Sequence, residues 1–145
     1  MNSELSSIPD VVDLLRDMVT VDTTNPGGNE AGAAQLLADL FEAHGLEAAV
    51  DRFDDEHVNV TASASFGEGG PRIVLNSHLD VVPAVGEWTT PAFDPQIRDG
   101  RMFGRGSADA KGSLAPMAIA LLRLVHSEDA DNLRGTVVYT AVGDE

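Results

Sequence analysis

The chain has 145 residues, 43% hydrophobic and 23% charged, the make-up of one soluble globular domain with a real core. Asp and Glu number 24 against nine Lys and Arg, a formal net charge of -15 that disfavours nucleic acid as a partner by repulsion. There is no cysteine, which excludes disulfides, thiolate zinc sites and a Cys nucleophile, and leaves His, Asp and Glu as the metal ligands to look for.

In chain order, Ser6 or Ser7 is expected to cap a first helix, with Pro9 in its first turn and Asp10 and Asp13 near its positive end. Ile8, Val12, Leu15 and Val19 give it an apolar stripe, and it should end near Thr20. A turn-rich loop follows, Thr23-Thr24-Asn25-Pro26-Gly27-Gly28-Asn29, whose last residue can cap a second helix carrying Ala33, Leu36, Leu37, Leu40 and Phe41. Gly45 is placed to terminate it. Leu46 to Phe53 alternates as a half-buried strand, Asn59 to Ala64 forms a second strand, and Arg72 to Ser77 a third, less polar and expected to be central. Residues 83–104 show no long periodicity; Trp88, Pro91, Phe93 and Pro95 suggest a packed irregular loop. Lys111 to His126 is a long helix with Leu114, Met117, Ala118, Leu121, Leu122 and Val125 on its apolar face, and Val137 to Val142 a buried strand that stops against Gly143-Asp144-Glu145. No repeat, low-complexity tract or interdomain linker interrupts residues 1–145. The pattern predicts an α/β fold with a mixed, partly parallel sheet. A buried parallel strand needs cover on both faces, so a chain stopping on one is expected to be the N-terminal piece of something longer.

Three strand ends or adjacent loops carry acids or imidazole. In Ser77-His78-Leu79-Asp80, positions 78 and 80 emerge on one side of a strand, which suits a metal-binding histidine with a carboxylate that fixes its ring, or an ordinary hydrogen-bonded pair. Asp109 lies in a loop of small residues just ahead of the long helix, where it can bridge two divalent cations or simply cap the helix. Asp144 and Glu145 end the last strand, and sites in open α/β sheets form beyond the carboxyl ends of strands. Nucleotide binding fits poorly. The order Lys111-Gly112-Ser113 is not that of a P-loop, and Asp109 stands where a dinucleotide loop needs glycine. His44, His57 and His126 are read as structural or solvated, and Lys111 as an electrostatic anchor near Asp109.

The run Ser77-His78-Leu79-Asp80-Val81-Val82-Pro83, then Trp88, Pro91-Ala92-Phe93, Asp99 to Gly106 and Asp109-Ala110-Lys111-Gly112, closely resembles the zinc aminoacylase and carboxypeptidase G-like superfamily, which includes acetylornithine deacetylases and succinyl-diaminopimelate desuccinylases. Asn25-Pro26-Gly27 fits its pattern as well. The resemblance implies a three-layer catalytic domain and a site with two zinc ions, cobalt or manganese being alternatives. In it His78 ligates one ion, Asp80 orients the imidazole and Asp109 bridges the two ions, with a cis peptide at Asp109-Ala110. Glu145 is implied as general base, with Asp144 as the Asp before it; a shift of one residue would make Glu145 the ligand and Asp144 the base. The implied substrate is an N-acyl (acetyl or succinyl) amino acid or small peptide, and the implied full-length protein a homodimer with a lid domain and a late His ligand. Residues 1–145 alone would then be inactive. The alternative is a non-catalytic binding or assembly module that retains the metal-site shell.

No apolar run reaches membrane-span length and residues 1–5 lack a signal core, so a cytoplasmic protein without a membrane partner is expected. Lys111 is the sole lysine, and the acidity is spread along the chain. Two accounts of it stand open: solvation in a high-salt cytoplasm, or acidity without that adaptation. Under the first, resistance to urea rises steadily from low to molar KCl; unchanged unfolding midpoints across that series rule it out.

Overall fold

The computed structural model describes residues 7–145. Helices α1 (Val11–Thr20) and α2 (Glu30–Ala43) come first, followed by strands β1 (Ala48–Arg52), β2 (Val58–Ser65) and β3 (Arg72–His78). A small hairpin of β4 (Gln96–Arg98) and β5 (Arg101–Phe103) precedes helix α3 (Lys111–Val125) and the last strand, β6 (Thr136–Val142). The main sheet has the order β1-β2-β6-β3. β6 pairs antiparallel with β2 and parallel with β3, so the predicted α/β fold with a mixed sheet is present.

The second helix forms as its sequence dictates. Asn29 accepts the Gly32 N–H at 2.9 Å, and Gly45 takes a left-handed φ of 79° just past the end. The Leu46 N–H then returns to the Phe41 carbonyl and the Gly45 N–H to the Glu42 carbonyl, closing the helix. The first helix differs from expectation. Its cap is Asp10, whose carboxylate accepts the Val12 N–H at 2.8 Å; Ser6 lies outside the described residues, and Ser7 and Pro9 precede the helix. Asp10 is the last residue with extended backbone before the periodic run, and its charge suits the helix's positive end. The buried stripe is also rotated, to Leu14, Met18 and Val19, while Val12 is 40% exposed.

Val58, Val60, Ala62 and Ala64 alternate along β2 and join Val137, Tyr139 and Ala141 of β6 in one cluster with Leu14, Leu37, Phe41, Leu114 and Leu122 from the helices. Phe41 meets Tyr139 edge to face at 4.9 Å, and the Tyr139 hydroxyl donates to the Leu114 carbonyl, which ties α2 and α3 to the central strand. The central strand is β6. β3, expected to be central, pairs only with β6 among the described residues, and its Ile73 and Val74 are about half exposed. Its β-branched composition signals strand, but cannot distinguish an inner from an edge position. β1 is the opposite edge, with Val50 exposed and only Leu46 and Ala48 turned inward.

The segment expected to be irregular holds the β4–β5 hairpin. Asp99 and Gly100 both have positive φ, 50° and 72°, as a two-residue hairpin turn requires. That Asp-Gly pair was visible in the sequence. In the same region the Arg105 guanidinium lies 5.1 Å from the Trp88 ring centre. Among the described residues no helix is long and apolar enough to cross a membrane.

Replacing Phe41 with Ala should lower unfolding free energy by about 3–5 kcal/mol, because it empties the contact between α2 and β6. Urea denaturation of variant and parent checks this.

Candidate metal and acid–base site

β3 and β6 run parallel in register, with His78 opposite Val142, so both strands deliver their following residues to one edge of the sheet. The ladder continues one step further, the Leu79 N–H donating to the Val142 carbonyl at 2.6 Å. The loop after α1 is stitched to the same place. Val81 donates its N–H to Thr23 and accepts from Asn25, and the Thr23 hydroxyl donates to Leu79. Three separated stretches, 23–29, 78–81 and 143–145, thus share one rim.

At that rim His78 Nε2 stands 3.2 Å from Asp109 Oδ1. The reading of Asp109 as a helix cap fails: α3 starts after Ala110, no side chain caps it, and the Asp109 carboxylate is almost fully exposed beside His78. The peptide Asp109-Ala110 is cis, as the resemblance implies. On its other side His78 Nδ1 lies 3.0 Å from the Asp80 carbonyl and 3.4 Å from the Asp80 carboxylate. Burial opposes the charged imidazole, but Asp109 and the Asp80 carboxylate outweigh it and raise the His78 pKa. The buried Asp80 carboxylate also accepts the Glu145 N–H at 3.2 Å, so one side chain touches both His78 and the Asp144-Glu145 turn.

Two donor atoms 3.2 Å apart match the separation, roughly 3.4 Å, of two ligands on one tetrahedral zinc. Imidazole plus carboxylate, without thiolate, is also a donor set suited to a catalytic divalent ion. His78 and Asp109 therefore fit a metal. Among the described residues no group of three or more His, Asp or Glu side chains converges as a complete cluster.

Lys111 is fully buried, with its ammonium 2.7 Å from the Val21 carbonyl and its pKa brought down to about 8 by burial, partly offset by Asp22. It anchors the loop carrying Asp109 to the end of α1, in line with the expectation for it.

Two groups here were missed in the sequence. Glu30, the first residue of α2, turns inward and is 3% exposed; its carboxylate accepts the Val58 N–H at 3.2 Å. Burial raises its pKa, with backbone N–H groups and His57 working against the rise. His57, read as structural or solvated, lies among acids. Its Nδ1 is 2.8 Å from Asp54, and its Nε2 is 3.7 Å from Asp144 and 4.0 Å from Glu30. The signal for Glu30 was its place beside Asn29, in a loop already marked by Asn25-Pro26-Gly27; an acid in a first helical turn is otherwise commonplace. His57 carried no signal at all.

The hydrogen bond to Asp54 raises the His57 pKa, and the same bond lowers Asp54 to about 2. Asp54 contributes stability above its ordinary value of 3.8 and loses it as pH falls through about 2; His57 contributes below its ordinary 6.5 and loses it as pH rises through its raised value. Asp54→Asn should therefore lower the thermal midpoint most between about pH 4 and about pH 6.5, with the gap to wild type narrowing on both sides. Thermal scans across pH check the window.

The fold is shared with solved peptidase structures. The chain aligns with an M20 family metallo-carboxypeptidase from Sulfolobus solfataricus at a TM-score of 0.76 and 21% identity, over 94% of this chain and 30% of that one. It aligns with the dipeptidase Dug1p of Saccharomyces cerevisiae at 0.74 and 15%, over 97% and 33%. Residues 74–145 match the model of peptidase family M20/M25/M40, and the chain belongs to that family. Among curated relatives, a succinyl-diaminopimelate desuccinylase of Xanthomonas oryzae is 37% identical over 94% of this chain and 35% of its own length. The enzyme of the same name from Methylococcus capsulatus is 37% identical over 80% and 30%. The chain thus spans about a third of the curated relatives it matches.

Proposed function

We propose that these residues form the metal-binding and acid–base part of a dizinc amidohydrolase that cleaves the acyl amide of an N-acetyl or N-succinyl amino acid, or the bond of a small peptide. The observation that carries this reading is the meeting of His78 Nε2 and Asp109 Oδ1 at 3.2 Å, with the Asp80 carboxylate reaching from His78 to the Glu145 backbone. Identity of 37% to desuccinylases supports the substrate class. The relatives being about three times as long, the activity is proposed for the full-length protein that carries this stretch.

In that protein His78 and Asp109 would be the residues that hold metal. The bound zinc supplies a polarised carbonyl and a water of lowered pKa. Asp80 orients the His78 ring from the Nδ1 side and keeps its coordinating nitrogen aimed at Asp109. The Glu145 carboxylate takes the proton of the attacking water and returns it to the leaving amine, giving a carboxylic acid and an amino acid. Asp144, its backbone at a φ of 57°, serves the turn and not the proton transfer.

The full-length protein should hydrolyse N-succinyl and N-acetyl amino acids, lose that activity to a chelator and recover it with zinc. Glu145→Gln should cut turnover by about 10²–10⁴-fold with zinc content retained. Asp80→Ala should cost about 10–100-fold in activity or zinc affinity, with little change in thermal midpoint. Undiminished activity in Glu145→Gln would remove the base assignment. Bound zinc with no hydrolysis of any acyl amino acid or dipeptide would favour a non-catalytic binding module.

A further inference from the structure

The turn Gly143-Asp144-Glu145 follows β6 directly and is held by side chains from three other parts of the fold. Gly143 donates to Asn59 Oδ1 of β2 at 3.1 Å and Glu145 to Asp80 Oδ1 after β3 at 3.2 Å, and the Glu30 carboxylate of α2 lies directly against Gly143. The Asp144 side chain is held as well. It accepts from Asn25 Nδ2 at 2.9 Å and has His57 Nε2 at 3.7 Å.

Such a turn is not held by its own backbone preference. Asp144 sits in the left-handed region at a φ of 57°, uncommon for a residue with a side chain although Asp enters it more readily than most. Gly143 has no room for a side chain: a Cβ there would overlap the Glu30 carboxylate and the Val58 carbonyl. Glu30 is nine-tenths and more buried, and a carboxylate in that position is tolerated because it accepts the Val58 N–H. Glu30 thereby joins the start of β2 to the residue that follows β6. Asn59, next along β2, holds the same residue by its N–H.

We propose that Glu30 and Asn59 are positioning residues for the acid–base group: together with Asp80 they fix the Gly143-Asp144-Glu145 turn, and so set where the Glu145 carboxylate stands. The catalytic consequence rests on the dizinc amidohydrolase reading above. The structural consequence, a turn held by those two side chains, does not.

The test uses the zinc-loaded full-length protein and three variants. Glu30→Gln keeps the volume but removes the charge and one acceptor oxygen from the group that lies against Gly143. Asn59→Leu removes the acceptor for Gly143, and Asn59→Asp restores one. Amide hydrogen exchange at residues 143–145 should speed up by about tenfold or more in Glu30→Gln and Asn59→Leu, with the Tyr139 amide in mid-β6 unchanged as a reference for global folding. Turnover per folded, zinc-loaded molecule should fall by about tenfold or more in the same two, with KM within about twofold, and Asn59→Asp should stay near wild type in both readouts.

Exchange at 143–145 that stays at the wild-type rate in Asn59→Leu overturns the proposal. So does faster exchange with unchanged turnover, because the turn would then be held without serving the base. Tyr139 exchange that rises in step marks a loss of global stability instead and also counts against positioning. A wild-type protein without zinc-dependent hydrolysis removes the function reading only, and exchange then decides by itself whether the two residues hold the turn.

Discussion

Everything at the functional rim depends on the parallel register of β3 and β6. Because His78 is level with Val142, the residues that follow each strand emerge at the same height and side by side. A slip of one residue would turn His78 to the opposite face, and a slip of two would move it by roughly one pleat, about 6.6 Å, out of reach of Asp109. The register is fixed by burial along β6, where Val137, Tyr139 and Ala141 fill the core, and by the Leu79 to Val142 hydrogen bond at its end. The core thus does more than stabilise the sheet. It sets the distance between an imidazole and a carboxylate that come from positions 31 apart in sequence.

A second dependence runs through charge. Asp80, Glu30 and Asp144 bring three carboxylates close to one another in a chain of formal charge -15. Repulsion among them is relieved by backbone N–H groups, by Asn25 and by one imidazole; among the described residues no Arg or Lys pairs with them. Backbone donors carry only partial charge, so the rim keeps a negative field while each acid keeps a partner. A field of that sign favours divalent cations over anions. That agrees with a donor set of His and Asp and with the poor fit of any phosphate loop.

Much of this was legible in the sequence, for local reasons. Helix α2 declares itself because Asn29 and Gly45 supply the cap chemistry at both ends, and β2 because alternation survives in Val58, Val60, Ala62 and Ala64. His78 and Asp109 could be singled out because one ends an apolar strand and the other stands in a loop of small residues ahead of a helix, and the family resemblance joined them. What could not be read is whatever depends on which elements meet. The rank of β3 in the sheet is a property of its neighbours, and its own composition says only that it is a strand. Asp10 and not Ser7 is the cap because α1 starts at Val11, after Pro9. Glu30 and His57 have roles only because α2, β2 and β6 converge on them, and no local pattern encodes that convergence.

The sole lysine has a chemical consequence of its own. Lys111 is fully enclosed, with its ammonium spent on the Val21 carbonyl. Reagents that acylate amines therefore find no side-chain target on the surface of this stretch while it is folded. Modification at Lys111 reports an excursion in which the end of α1 and the Asp109 loop part company. The stretch carries a built-in reporter of local opening next to its candidate metal ligands.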